Sequence, residues 1–155
     1  MGNEDLLRPT LSDYRKPPSL YHSTGFFLSA FFGGPLGAGI YATANSWRLE
    51  RWSRDLPVIV AIVAAAFLTL IVSYRLGWIR QLGELLDMSA ARALGIGVRA
   101  LGLACFGAFY LMHRSYFRAA QVTGARPIAG WKPGIAAVLA GWAANIAMAA
   151  WIEHH

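Results

Sequence analysis

Charge is what this chain has least of. Only 14% of its 155 residues are charged, where soluble domains average about a quarter. Acid is scarcer than base, with 8 Asp and Glu against 14 Lys and Arg. None of the acids lies in the apolar runs 25–46, 56–74, 91–113 and 133–152. That absence excludes a proton relay built on intramembrane carboxylates. Cysteine is nearly missing as well: Cys105 stands alone, so an internal disulfide and a cysteine-based metal centre are both excluded. Cys105 falls inside the third run, and no acid neighbours His113 in sequence, so no nucleophile–base set emerges. We expect no catalytic residues, no cofactor and no metal. Aromatic-basic nucleic-acid modules are missing too, so the net charge of +6 points to anionic lipid beside the loops and not to nucleic acid. The opening "MGNEDLLRPTLSDYRKPPSLYHST" is polar and acid-bearing, unlike a secretory signal, and Leu6 breaks the myristoylation pattern.

What is abundant is apolar length: 56% of residues are hydrophobic, bunched in those four runs. A helix needs about 20 residues to cross a hydrocarbon core of about 30 Å. The runs therefore predict an all-α integral membrane protein, a four-transmembrane-helix bundle with short loops. Residues 1–24 would form a polar tail, 25–152 the membrane domain and 153–155 a short end; His154 and His155 carry no argument. Run 56–74 has few polar side chains and is expected to face lipid most. Between the second and third spans, Ile79, Leu82 and Leu86 recur at helical spacing while Arg80, Glu84 and Asp87 share another face. That pattern predicts either a helix at about 76–88 lying in the interface or a loop that extends the third span. In the connector after the third span, Gly124 and Pro127 should break the helix. Trp47, Trp52, Trp78, Trp131 and Trp151 fall at predicted span ends, as indole's preference for the headgroup zone requires; Trp142 lies mid-span.

With four crossings, both termini and residues 75–90 share one side. That side carries Arg8, Arg15, Lys16, Arg75, Arg80 and Arg92; the other carries Arg48, Arg51, Arg54, Arg114, Arg118, Arg126 and Lys132. The totals are nearly equal. The second set lies in short connectors, where positive charge governs orientation most, and this predicts termini outside the cytoplasm.

The first run is rich in residues a lone lipid-exposed helix does not need. Gly33 and Gly37 make a GxxxG step whose stripe continues through Tyr41 to Asn45, and Ala137, Gly141, Asn145 and Ala149 repeat the device in the last run. Small residues let helix backbones approach, which is how helices associate in lipid, so these are the expected packing residues. Pro35 after two glycines predicts a kink. Its two readings are a packing bend and a break that offers backbone groups to an ion or substrate. The stretch "FFGGPLGAGIYATANSWRLE" also resembles the first span of small uncharacterised bacterial inner-membrane proteins that show GGPL followed by Asn, here Gly33, Gly34, Pro35, Leu36 and Asn45. The resemblance implies a bacterial inner-membrane location and carries no activity.

Arg99 lies about two turns into the third span. It is either a pathway or partner contact or a side chain snorkelling to the nearer interface. Arg48, Arg51, Arg54, Arg114 and Arg118, interleaved with aromatics, should gather on one face, for anionic headgroups or for an acidic partner. His22 and His113 are expected on opposite faces of the membrane, which rules out a shared iron. Together these features predict a non-catalytic membrane protein acting through helix contacts, as an accessory or assembly subunit or a binder of another membrane protein or of itself. The alternative is a small oligomeric transporter or channel using Arg99, Asn145 and the Pro35 kink. The two part on one observation: whether Arg99 and Asn145 face a shared cavity or lipid.

Overall fold

The computed structural model describes residues 20–122 and 128–154, so most of the tail and the Gly124–Pro127 break lie outside the described residues. Five helices follow in order: α1 Ser23–Arg48, α2 Trp52–Arg75, α3 Trp78–Leu85, α4 Ala90–Val122 and α5 Trp131–His154. Three of them, α1, α2 and α4, are long and apolar enough to cross a membrane, among the described residues. The expectation was four, and the first of the three departs from it further.

α1 is not one rod. Gly34 sits at φ 64 and ψ −154, a backbone conformation open in practice only to glycine, and the helical path is interrupted there. Contacts across the break show its consequence. A straight helix would hold Phe26 and Tyr41 about 22 Å apart at 1.5 Å per residue, yet their rings stack with centroids 5.1 Å apart. Asn45 Oδ1 accepts from the Tyr21 amide at 3.1 Å, and the Tyr41 hydroxyl donates to the His22 carbonyl at 3.0 Å. Arg48 lies over the Tyr21 ring at 4.6 Å. The chain descends through residues 23–33, reverses at Gly34, and returns through 35–48. The predicted first span is thus a helical hairpin whose two ends share one face. Its arms measure about 16 and 21 Å, each too short for a core of about 30 Å. The residue before a proline is held away from helical geometry, and Pro35 suits the first turn of the returning arm, where its missing N–H is no loss.

The hairpin is the centre of the molecule. In its most apolar window 61% is buried, against 17% for α2 and 22% for α4. Phe26, Ala30, Ala38, Tyr41 and Ala42 join Ile59, Ala66, Cys105 and Phe109 in one core. α2 runs back along the returning arm, with Val63 and Ile59 beside Gly39. α3 is the amphipathic helix expected near 76–88; it buries Ile79 and Gly83 and leaves Arg80 and Glu84 exposed, 3.8 Å apart. α4 then passes the hairpin tip at Val98 and Gly102 and reaches the base at His113, while α5 starts at the base and meets the tip at Gly141. At the base, Tyr21 and Ile128 form an isolated β-bridge that ties the tail to the α4–α5 connector.

Candidate functional site

The tip residues Gly33, Gly34 and Pro35 are buried, and they are received by glycine on both sides. A Cβ on Gly102 of α4 would stand 2.8 Å from Gly34 Cα, and one on Gly141 of α5 would stand 2.6 Å from Gly33 Cα. Gly33 itself lies against the Ala137 carbonyl and Val138 Cα of α5. Backbone therefore meets backbone at three places around the reversal.

The small-residue stripes are rearranged by this. Gly33 ends the descending arm and Gly37 belongs to the returning one, so the GxxxG step straddles the break and forms no single-helix stripe. Gly37 packs against the Ser29 carbonyl of the opposite arm. In α5, Ala137, Gly141 and Asn145 all point to the hairpin, and the side chain of Ala149 lies outside the described residues. Asn45 is fully buried at the base; its oxygen is used by Tyr21 and its Nδ2 has no partner.

Below the tip, between α4 and α5, lies a recess of about 390 Å³. Phe32, Val98, Arg99, Trp142, Asn145 and Ile146 are among its walls. Arg99 and Asn145, drawn from different helices, thus share one cavity. Arg99 is exposed there, its guanidinium 5.6 Å from the Phe31 ring centroid. Asn145 Oδ1 is buried and has no hydrogen-bond partner, and Nδ2 would lie 3.6 Å from a Cβ on Gly34. Leaving a polar atom unpaired in an apolar surround costs about 1–3 kcal/mol, and Asn145 Oδ1 is such an atom. Trp142, the one mid-span tryptophan, is 59% exposed and forms the recess wall toward the outside of the bundle.

No family model, curated protein or solved structure matches this chain. The tip and the base must be read from their own geometry.

The base holds a second polar group that the sequence did not disclose. His113 Nε2 is 2.9 Å from Ser46 Oγ and 3.6 Å from Asp55 Oδ2, while Nδ1 is 3.0 Å from the Phe109 carbonyl. The carbonyl can only accept, so Nδ1 carries the proton and, in the neutral ring, Ser46 donates to Nε2. An acid does therefore neighbour His113, which corrects the expectation of none; Asp55 sits one residue before the second apolar run, in the predicted connector. His22 and His113 also stand at the same end of the bundle, because the hairpin returns the chain to its starting face. A serine paired to a histidine has the form of an activated nucleophile, but Ser46, His113 and Asp55 are 0, 1 and 6% exposed. No substrate atom reaches them, so the cluster pins the hairpin to α2 and α4. Beside it, Arg51 donates to the Tyr116 hydroxyl, joining the α1–α2 turn to α4. Arg54, Arg114 and Arg118 are exposed around the same end.

Among the described residues no three His, Cys, Asp or Glu side chains gather closely enough to hold an ion.

Proposed function

We propose that the chain is a multi-pass membrane protein in which α2, α4 and α5 cross the bilayer and the α1 hairpin enters and leaves by one face, and that it binds a small polar or anionic solute in the recess under the hairpin tip, as a small oligomeric transporter or channel. One observation carries this reading: Arg99 and Asn145 line a common cavity instead of facing lipid separately. A broken helix is tolerated at membrane depth where protein buries it or where it lines a cavity, and such breaks recur beside solute sites in transporters. The volume falls within the range of roughly 300–1,000 Å³ usual for small-molecule sites. Arg99 supplies an exposed positive charge in the recess, so the solute carries an anionic group. Trp142 and Ile146 of the recess lining are exposed, and a second copy would cover them. The likeness of residues 31–50 to small bacterial inner-membrane proteins supports that membrane as the location.

The test is uptake of radiolabelled small anions into proteoliposomes. Removing a charge-assisted contact costs about 1.5–3 kcal/mol, so Arg99→Ala should slow flux roughly tenfold or more while Arg99→Lys retains part of it. Flux untouched by both Arg99→Ala and Asn145→Ala would sink the assignment.

A second reading has its own observation. α2 leaves Val58, Val60, Leu68 and Val72 exposed along its length, a surface on which another membrane protein could pack if the chain acts as an accessory subunit. Site-specific photocrosslinking from α2 in native membranes tests it: a single discrete adduct supports a partner, and lipid adducts alone count against one.

A further inference from the structure

We infer that the face at the base of the hairpin is the cytoplasmic surface, seated on anionic phospholipid, and that the N-terminal tail and the C-terminus lie on opposite sides of the membrane. The argument begins with parity. A hairpin that returns to its entry face adds no crossing, and α5, whose 24 residues run from the base past the tip over about 36 Å, adds one to α2 and α4, so the number is odd. The β-bridge from Tyr21 to Ile128 and the Tyr21–Asn45 hydrogen bond hold the start of the chain, the α1–α2 turn and the α4–α5 connector at one end. α3 and the end of α5 lie at the other.

The basic residues divide unequally by this geometry. Among the described residues the base face carries Arg48, Arg51, Arg54, Arg114, Arg118 and Lys132, and the opposite face carries Arg75, Arg80 and Arg92. The division is six against three, in turns and end segments of helices, where the bias toward the cytoplasm acts most strongly. Each such residue gains about 1 kcal/mol beside anionic lipid. The aromatic residues agree. Trp47 and Trp52 stack with centroids 5.5 Å apart and are 64 and 45% exposed, and Trp131 is exposed beneath the Lys132 ammonium at 5.6 Å. This places three indoles among the cations at headgroup depth. The assignment keeps the connectors cytoplasmic and the C-terminus outside, as four crossings predicted, and moves only the N-terminal tail to the cytoplasmic side.

The full chain, expressed in a bacterial inner membrane with Cys105→Ala, tests the arrangement. Single cysteines are introduced as Asn3→Cys, Glu50→Cys, Leu85→Cys and His155→Cys, and a membrane-impermeant maleimide is added to spheroplasts. The expected result is labelling of Leu85→Cys and His155→Cys from outside, with Asn3→Cys and Glu50→Cys labelled only after permeabilisation. Labelling of Asn3→Cys and His155→Cys from the same side would overturn the parity. Opposite sides with Asn3→Cys outside would overturn the cytoplasmic assignment. A C-terminal alkaline phosphatase fusion, expected active, and a C-terminal GFP fusion, expected dark, give a readout free of cysteine changes; the reverse pattern overturns the inference. For the lipid, indole fluorescence in nanodiscs should be quenched more by brominated phosphatidylglycerol than by brominated phosphatidylcholine. Substituting Arg54, Arg114 and Arg118 together by Gln should remove the difference, and equal quenching of the unmodified protein would refute anionic seating.

Discussion

Exchanging Gly102 for alanine adds one methyl group at the point where α4 touches the hairpin. That carbon would lie 2.8 Å from Gly34 Cα and 2.9 Å from Gly34 C, and would overlap the Ala30 carbonyl oxygen. Carbon atoms rest at about 3.5–4.0 Å, so the hairpin would have to retreat by nearly an ångström. It has nowhere to go, because Gly141 of α5 presses on Gly33 from the other side. Overpacking of this kind costs about 1–3 kcal/mol. Alanine's better helix propensity returns up to about 1 kcal/mol, leaving a net loss of about 1–2 kcal/mol. The same helix supplies its own controls, since a Cβ at Gly95 or Gly107 meets nothing within 4 Å. Gly95→Ala and Gly107→Ala should therefore be neutral or slightly stabilising. The assay is unfolding in mixed micelles by rising SDS, followed by tryptophan fluorescence. If Gly102→Ala unfolds at the same SDS fraction as Gly107→Ala, the reversal at Gly34 is not packed against α4 and the hairpin is wrong.

Two further substitutions probe the tip and the base in the same titration. Gly34→Ala should lose about 1–3 kcal/mol, because an L side chain is strained at φ 64 and ψ −154; stability equal to the parent would place Gly34 in an ordinary helix. His113→Leu should lose about 1–3 kcal/mol by leaving the Ser46 hydroxyl buried without its acceptor, and a smaller loss in the double variant His113→Leu with Ser46→Ala would confirm that the cost lies in the stranded hydroxyl; additive losses would refute it.

The apolar runs were legible because lipid imposes both length and continuity, and the amphipathic helix at Trp78–Leu85 was legible from its spacing. The reversal was not. Its signal, Gly-Gly-Pro, was in plain view, but a run of some twenty apolar residues is consistent with one full crossing or two half-length arms, and composition does not distinguish them. Gly34, held before a proline, was the residue that could have. The base cluster was hidden for another reason: Ser46, Asp55 and His113 come from three helices, and Asp55 sits one position outside the run in which acids were sought. Arg99 and Asn145 were singled out for depth and polarity alone; their sharing of a recess depends on how α4 and α5 are seated around the tip.

That seating shows why glycine recurs where it does. A reversal inside a bilayer needs its polar backbone enclosed by protein, since lipid offers no hydrogen bonds. Enclosure requires neighbouring helices to close on the turn from both sides, and any Cβ on the facing positions would hold them apart. Gly33 and Gly34 remove the obstruction from the turn, Gly102 from α4, and Gly141 from α5. The two predicted packing stripes, around Gly33 and Gly141, thus join with Gly102 as parts of one enclosure. The surfaces they would have offered a partner are spent inside the chain. Among the described residues, the exposed length of α2, Trp142 beside the recess and the cationic base are surfaces that remain outward.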